Sequence, residues 1–144
     1  LRLEEIHAEW MKDCVIDRTE LGRDSAEIPK LHARWRRIYD DESLLLLKMV
    51  QEYKTLKLEK TEFYLTGPTK ESVERGWVHP PRGAPLRSEL QLYMDADPDI
   101  QKTELRIGLQ KQKVQTVESI ITNINWRHNV IKNAISDLQW KQGG

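Results

Sequence analysis

Residues 114–138 read VQTVESIITNINWRHNVIKNAISDL, and the spacing of their apolar side chains decides the fold class. Val114, Val117, Ile121, Ile124, His128, Ile131, Ile135 and Leu138 step by 3, 4, 3, 4, 3, 4 and 3, and seven of the eight are apolar. That is the seam of a coiled-coil helix. Upstream, Asp97-Pro98-Asp99 supplies a helix start: an N-cap side chain, a proline whose missing N–H costs nothing there, and an acid facing the positive dipole end. One helix is therefore expected from Pro98 to about Trp140. At 1.5 Å per residue it would be roughly 60 Å long, more than a small globule buries. Its seam must pack along another helix of the chain, along a partner chain, or both, and all eight seam residues are candidates for oligomerisation.

Working outward, residues 67–98 hold three of the seven glycines and five of the six prolines. The run His79-Pro80-Pro81-Arg82-Gly83-Ala84-Pro85 excludes regular helix, because proline removes donors and clashes with the preceding turn. A long connection is expected, with short helical turns at 70–75 and 87–94. Before it, Leu46, Met49, Tyr53, Leu56, Lys60 and Phe63 again step by 3 and 4. They mark a helix capped by Asp41 or Ser43 and running to about Tyr64. Lys60 is the odd member, a charge near an apolar seam. Its stem can cover apolar surface while the ammonium reaches solvent. A helix from Pro29 to about Tyr39, with Pro29 in its first turn, precedes this one. Asp17 and Glu20 read as a capping box. Leu3, Ile6 and Trp10 form the stripe of a first short helix, about Arg2 to Asp13. The expected fold is all-α: short N-terminal helices, then a long antiparallel helical hairpin with coiled-coil-like seams. It reads as a single domain over 1–144, with N-terminal helices at 1–66, the connection at 67–97 and the long helix at 98–144.

Composition narrows function mainly by exclusion. The chain has 144 residues, 38% hydrophobic and 32% charged, with 23 basic and 23 acidic side chains. Bulk charge therefore announces no nucleic-acid partner. Residues 98–144 carry a local excess of seven bases over four acids, and a modest patch repeated around an oligomer becomes a strong field. One cysteine, Cys14, rules out an intrachain disulfide and suits a reducing interior. The longest apolar run is Leu44–Leu47, far below the roughly 20 residues that span a bilayer. A soluble, intracellular protein is expected. Asp95-x-Asp97-x-Asp99 resembles the start of a calcium loop, yet Ile100 and Arg106 stand where that loop needs Gly and Glu. His7, His32, His79 and His128 have no second ligand at metal spacing, and no phosphate loop or nucleophile motif is present. Neither an enzyme nor a metal or nucleotide cofactor is expected.

The positive features are milder. Arg34-Trp35-Arg36-Arg37 joins three guanidiniums to an aromatic. Lys54, Lys57 and Lys60 recur at i, i+3 and i+6 as a basic ridge, with Phe63 and Tyr64 just beyond. Cations neutralise phosphates, and aromatic faces stack on splayed bases without reading sequence. The residues alone favour a plainer account, a solvated helix face with apolar anchors. A helical coiled-coil adaptor with no DNA role is the corresponding alternative.

Several segments in order carry a resemblance. Arg2-Leu3-Glu4-Glu5, then Lys12-Asp13-x-x-Ile16-Asp17-x-Thr19-x-Leu21, resemble the start of the UvsY family of tailed-phage recombination mediators. Ala26, Leu31, Arg34-Trp35, the lysine-rich helix ending Glu62-Phe63-Tyr64, Gly67, and Asp95-Ala96-Asp97 continue the match. Asn125-x-Arg127 with Ile131-Lys132-Asn133-Ala134-Ile135 is similar to the family's C-terminal signature. The resemblance implies a non-enzymatic protein that forms ring-like homo-oligomers of six or seven subunits. It implies sequence-neutral binding of single-stranded DNA, displacement of the phage single-strand-binding protein, and loading of a UvsX-type recombinase in the cytoplasm of the infected host. It also implies DNA contacts on the helix entering the aromatic pair. Lys60 occupies one such position, while Leu58 stands where a member of the family has a basic residue, so Lys54 or Lys57 would supply the charge instead.

Overall fold

The computed structural model describes residues 1–16, 19 and 21–143, and for His128 the backbone alone. The Asp17–Glu20 capping box lies outside the described residues. Among the described residues five helices follow in order: α1 (Leu3–Asp13), α2 (Leu21–Thr66), α3 (Lys70–Glu74), α4 (Leu90–Ala96) and α5 (Pro98–Gly143). No strand occurs among the described residues, so the all-α expectation holds. Among the described residues no helix is long and apolar enough to cross a membrane.

The long helix α5 starts as its sequence dictates. Asp97 Oδ1 accepts from the backbone N–H groups of Asp99 (2.9 Å) and Ile100 (3.1 Å), satisfying donors that have no partner inside the helix. The other long helix differs from expectation. The segments 29–39 and 42–64 are one continuous helix of 46 residues, α2. Pro29 therefore sits inside the helix rather than in its first turn, and Asp41 and Ser43 cap nothing. A proline there removes one backbone bond and costs about 3 kcal/mol. Ile28 and Leu31 on either side pack against the core and offset that cost. At the far end Gly67 (φ 93°) takes the left-handed conformation that glycine allows, and its N–H bonds to the Phe63 carbonyl at 3.0 Å. Pro68 then prevents continuation.

The chain forms two compact units, Leu1–Leu44 with Gln110–Gly144, and Leu45–Leu109, and both long helices contribute to each. In the first unit, Trp35 (0% exposed), Ile6, Val117, Ile120 and Ile124 form a closed core, with the Trp10 and Trp35 rings perpendicular and their centres 6.0 Å apart. Gln110 donates to the buried Glu42 carboxylate (2.6 Å) and to its backbone carbonyl (2.9 Å), and with Trp35 packed against Val117 and Ile124 further along, α2 and α5 run antiparallel here. Arg127, one of the seven bases of residues 98–144, is buried. Its guanidinium donates to the carbonyls of Asp13 (2.6 Å) and Val15, which lie at the C-terminal end of α1. Trp35 Nε1 donates to Asp13 Oδ2 at 2.9 Å.

Of the packing partners open to the seam, this chain's own helices take its middle. Val117, Ile124 and Ile131 are buried within the chain itself, Ile121 packs against the same core, and Val114 and Ile135 are half-buried. Leu138 alone of the described seam side chains stays exposed, and His128 lies outside them. The 3–4 spacing marks a buried face, and this chain's own α1 and α2 supply the partner.

Replacing Pro29 by alanine restores an N–H for the Ser25 carbonyl and removes the ring from the helix interior. The variant is expected to melt above wild type by circular dichroism. A lower melting temperature would show that the ring is needed where it stands.

Candidate nucleic-acid interface

Lys54, Lys57 and Lys60 do not share a face. Each residue of an α-helix advances by about 100°, so a three-residue step falls short of a full turn by about 60°. From Lys54 to Lys60 the side chain direction has moved by about 120°, from solvent to core. Lys54 and Lys57 are exposed, and Lys57 Nζ lies 5.3 Å from the centre of the Tyr53 ring. Lys60 is 2% exposed.

The Lys60 ammonium is enclosed within the second unit. It lies 3.0 Å from Asp97 Oδ2 and 2.8 Å from Asp99 Oδ2, and 4.0 Å from the centre of the Trp77 ring. Tyr64 Oη donates to Asp97 Oδ2 at 2.6 Å. Burial works against the charge on Asp97. The hydrogen bonds from Tyr64, the Ile100 backbone and Lys60 outweigh it and hold the carboxyl below the usual aspartate range. The positive end of α5 acts in the same direction. Burial, then the bond to Asp97, pushes the Tyr64 phenol well up, so it remains a donor. Nearby, burial and a hydrogen bond to Glu104 push Tyr53 up to about 12.

Around this cage the connection docks. Trp77 lies between Lys60 and Arg75, whose Cζ is 4.1 Å from the ring centre and whose Nη1 is 2.5 Å from Glu59 Oε2. The two ring nitrogens of His79 lie 3.1 Å from the carbonyl oxygens of Tyr64 and Pro80. Phe63, Tyr64, Met94 and Ile100 form the core beneath, with Tyr53, Leu56, Trp77 and Leu90 packed against it.

The sequence-predicted site is thus partly dismantled. Lys60 is an internal counter-ion and not part of a solvent ridge. Phe63 (4% exposed) and Tyr64 (5%) are core residues whose faces are covered. The three arginines belong to the other unit. Arg34 binds Glu9 and Asp13, Arg36 pairs with Asp40 at 3.2 Å on the solvent side, and Arg37 is exposed. Lys54, Lys57 and Arg37 remain open to an anion. Trp77 and the Asp97–Asp99 clamp were missed from sequence. Their signals were present: a lysine inside an apolar seam needs buried anions, and Asp97 and Asp99 stood unexplained beyond capping. Among the described residues no group of three or more His, Cys, Asp or Glu is placed to hold a metal ion. Asp97 and Asp99 face Lys60 instead.

Comparison with known proteins bears on this arrangement. Residues 9–144 match the family model described as "Recombination, repair and ssDNA binding protein UvsY". No curated protein sequence matches the chain. Three crystal forms of the bacteriophage T4 recombination mediator protein UvsY share the fold. Lattice type II gives a TM-score of 0.80 at 22% identity, covering 100% of this chain and 99% of that one. Lattice type IV gives 0.79 at 20% identity, covering 99% of both chains. Lattice type I gives 0.78 at 19% identity, covering 96% and 98%.

Lys60→Met leaves Asp97 and Asp99 facing an apolar side chain, and is expected to cost about 3–5 kcal/mol in denaturant unfolding. The acid sensitivity should change with it. Because the Asp97 carboxyl is depressed in the folded state, its contribution is fully present above the ordinary aspartate range and is lost as pH falls through and below it. Wild type should lose stability from about pH 5 downward, and Lys60→Met should lose less over that interval. Equal stability of the two proteins at neutral pH would show that the ammonium is not caged.

Proposed function

The chain belongs to the UvsY family, and on that premise we propose that it is a recombination mediator that binds single-stranded DNA without sequence preference. In this role it promotes loading of a UvsX-type recombinase in place of the phage single-strand-binding protein, in the cytoplasm of the infected host. The observation that carries the reading is the family match, which runs over all but the first eight residues. The surface is compatible in kind. Lys54 and Lys57 are exposed and make no ion pair among the described residues, so their ammonium groups are free to replace the counter-ions of a phosphate chain.

No chemical step is needed. A strand held through its backbone keeps its bases available, and bound in this way it can be passed from one protein to another without any bond being broken. A subunit of zero net charge that offers Lys54 and Lys57 grips a strand weakly by itself. Several copies in a ring of six or seven present the same pair repeatedly, and linked binding sites gain avidity without any new kind of interaction.

Self-association must use surface that the chain's own core leaves over. Trp126, Val130 and Trp140 on α5 are exposed and follow the 4–3–4–3 face through Asn133 and Asp137, with exposed Leu138 beside it. This face replaces the buried seam as the proposed subunit contact. Val130→Asp should lower the particle mass in light scattering while helicity is kept. Ile124→Asp should unfold the first unit instead. A wild-type particle mass for Val130→Asp would remove this face from the assembly.

The DNA reading is tested with labelled oligo-dT by anisotropy over a range of salt. Lys54→Ala with Lys57→Ala should weaken binding and flatten the plot of log affinity against log salt by about 0.7 for each phosphate that is no longer neutralised. A slope equal to that of wild type would mean that these lysines do not touch the strand. Absence of wild-type binding in dilute buffer would favour a structural adaptor.

A further inference from the structure

Between Glu74 and Glu89 the chain carries no acid. Residues 75–88, RGWVHPPRGAPLRS, hold three arginines. Arg75 is committed to Glu59 and to the Trp77 ring. Arg82 and Arg87 are exposed and make no ion pair among the described residues. They lie in the same unit as Lys54 and Lys57.

The segment is irregular but well anchored. At one end Trp77 is fixed against Lys60, and His79 is held to the Tyr64 carbonyl. At the other, Leu90 packs onto the Phe63–Met94 core. Between these anchors the Gly83 N–H bonds to the Pro80 carbonyl at 3.1 Å, closing a turn over Pro80–Gly83. Gly83 has φ 90°, which glycine adopts without strain. Pro81 presets the backbone at the second turn position, and Arg82 follows it at the third. Pro85 stiffens the approach to Arg87. Little backbone freedom therefore remains to be lost when the two guanidiniums meet a ligand.

We propose that the connection 75–88 is a second contact element for the polynucleotide, in which Arg82 and Arg87 bind backbone phosphates. This rests on the single-strand-binding reading above. Guanidinium forks match phosphate oxygens in pairs, and both are unencumbered by carboxylates. Val78 before them and Leu86 between them, 84% and 67% exposed, offer apolar surface to the edges or faces of unstacked bases without selecting among them. The buried cage supplies the positioning: Lys60 bears on the strand only through Trp77, by keeping the connection seated.

The test uses the full chain in its assembled state, with labelled oligo-dT and, in parallel, labelled polyglutamate. Arg82→Ala with Arg87→Ala removes two exposed side chains and should leave helicity and particle size unchanged. Affinity for oligo-dT should fall roughly tenfold at low salt, and the salt slope should flatten by about 1.4, the value for two phosphates of a single strand. If wild type binds oligo-dT, Lys54→Ala with Lys57→Ala weakens it, and the arginine variant matches wild type, this proposal is overturned and the single-strand reading stands. If only polyglutamate binding falls in the arginine variant, the surface serves an acidic protein and the proposal is again overturned. If wild type fails to bind oligo-dT at all, the functional reading itself fails, and this proposal with it.

Discussion

An ammonium group taken out of water must be met by anions close enough to repay the loss of hydration, and Lys60 meets two. The penalty for burying each ion is several kcal/mol even after the protein relaxes, so a single imperfect pair would not repay it. Here Asp97 and Asp99 both lie within 3.0 Å, and the Trp77 ring covers another side. Two carboxylates against one cation leave an excess negative charge. Asp99 is half exposed and its charge is shared with solvent, while the Tyr64 hydroxyl and the backbone N–H groups that open α5 stabilise the buried Asp97. Asp97 thus caps a helix, receives a phenol and neutralises a lysine at once. The end of α2, the start of α5 and the irregular connection are held to one another through these atoms.

The first unit solves a similar problem with different groups. A helix that ends inside a protein leaves carbonyls without donors. At the end of α1, Arg127 supplies them from more than 100 residues away. In both units a basic side chain has been turned inward to settle a backbone or carboxylate requirement. The other described bases stay exposed or half-buried, and across the whole chain 23 acids balance 23 bases. That is why net charge says so little about function in this chain, and why the proposed grip on a strand depends on repetition and on the acid-free connection.

Much of the helical layout was legible. Asp97-Pro98 marked the start of α5, the glycine- and proline-rich stretch from residue 67 marked the end of α2, and the 3–4 spacing marked their buried faces. The break placed before Pro29 was wrong, because local rules for proline do not count the tertiary burial of Ile28 and Leu31. The partner of the α5 seam was not legible either, since periodicity reports that a face is covered and not by what. Trp35, read as part of a basic surface motif, is the side chain that fills that face. The candidate site suffered most from a simplification of geometry. Three lysines at three-residue spacing look aligned in the sequence, yet on a helix they turn steadily away from one another. Phe63 and Tyr64 follow Lys60 into the core for the same reason.

The burial of Lys60 is open to direct measurement by amine footprinting. The native protein would be treated briefly with a lysine-acetylating reagent, digested, and read by mass spectrometry against the denatured chain. Lys54 and Lys57 should be labelled at rates near those of the unfolded state, while Lys60 remains almost unmodified until the protein unfolds. Labelling of Lys60 at the rate of its two neighbours in the folded protein would contradict the cage, and with it the account of how the connection is held.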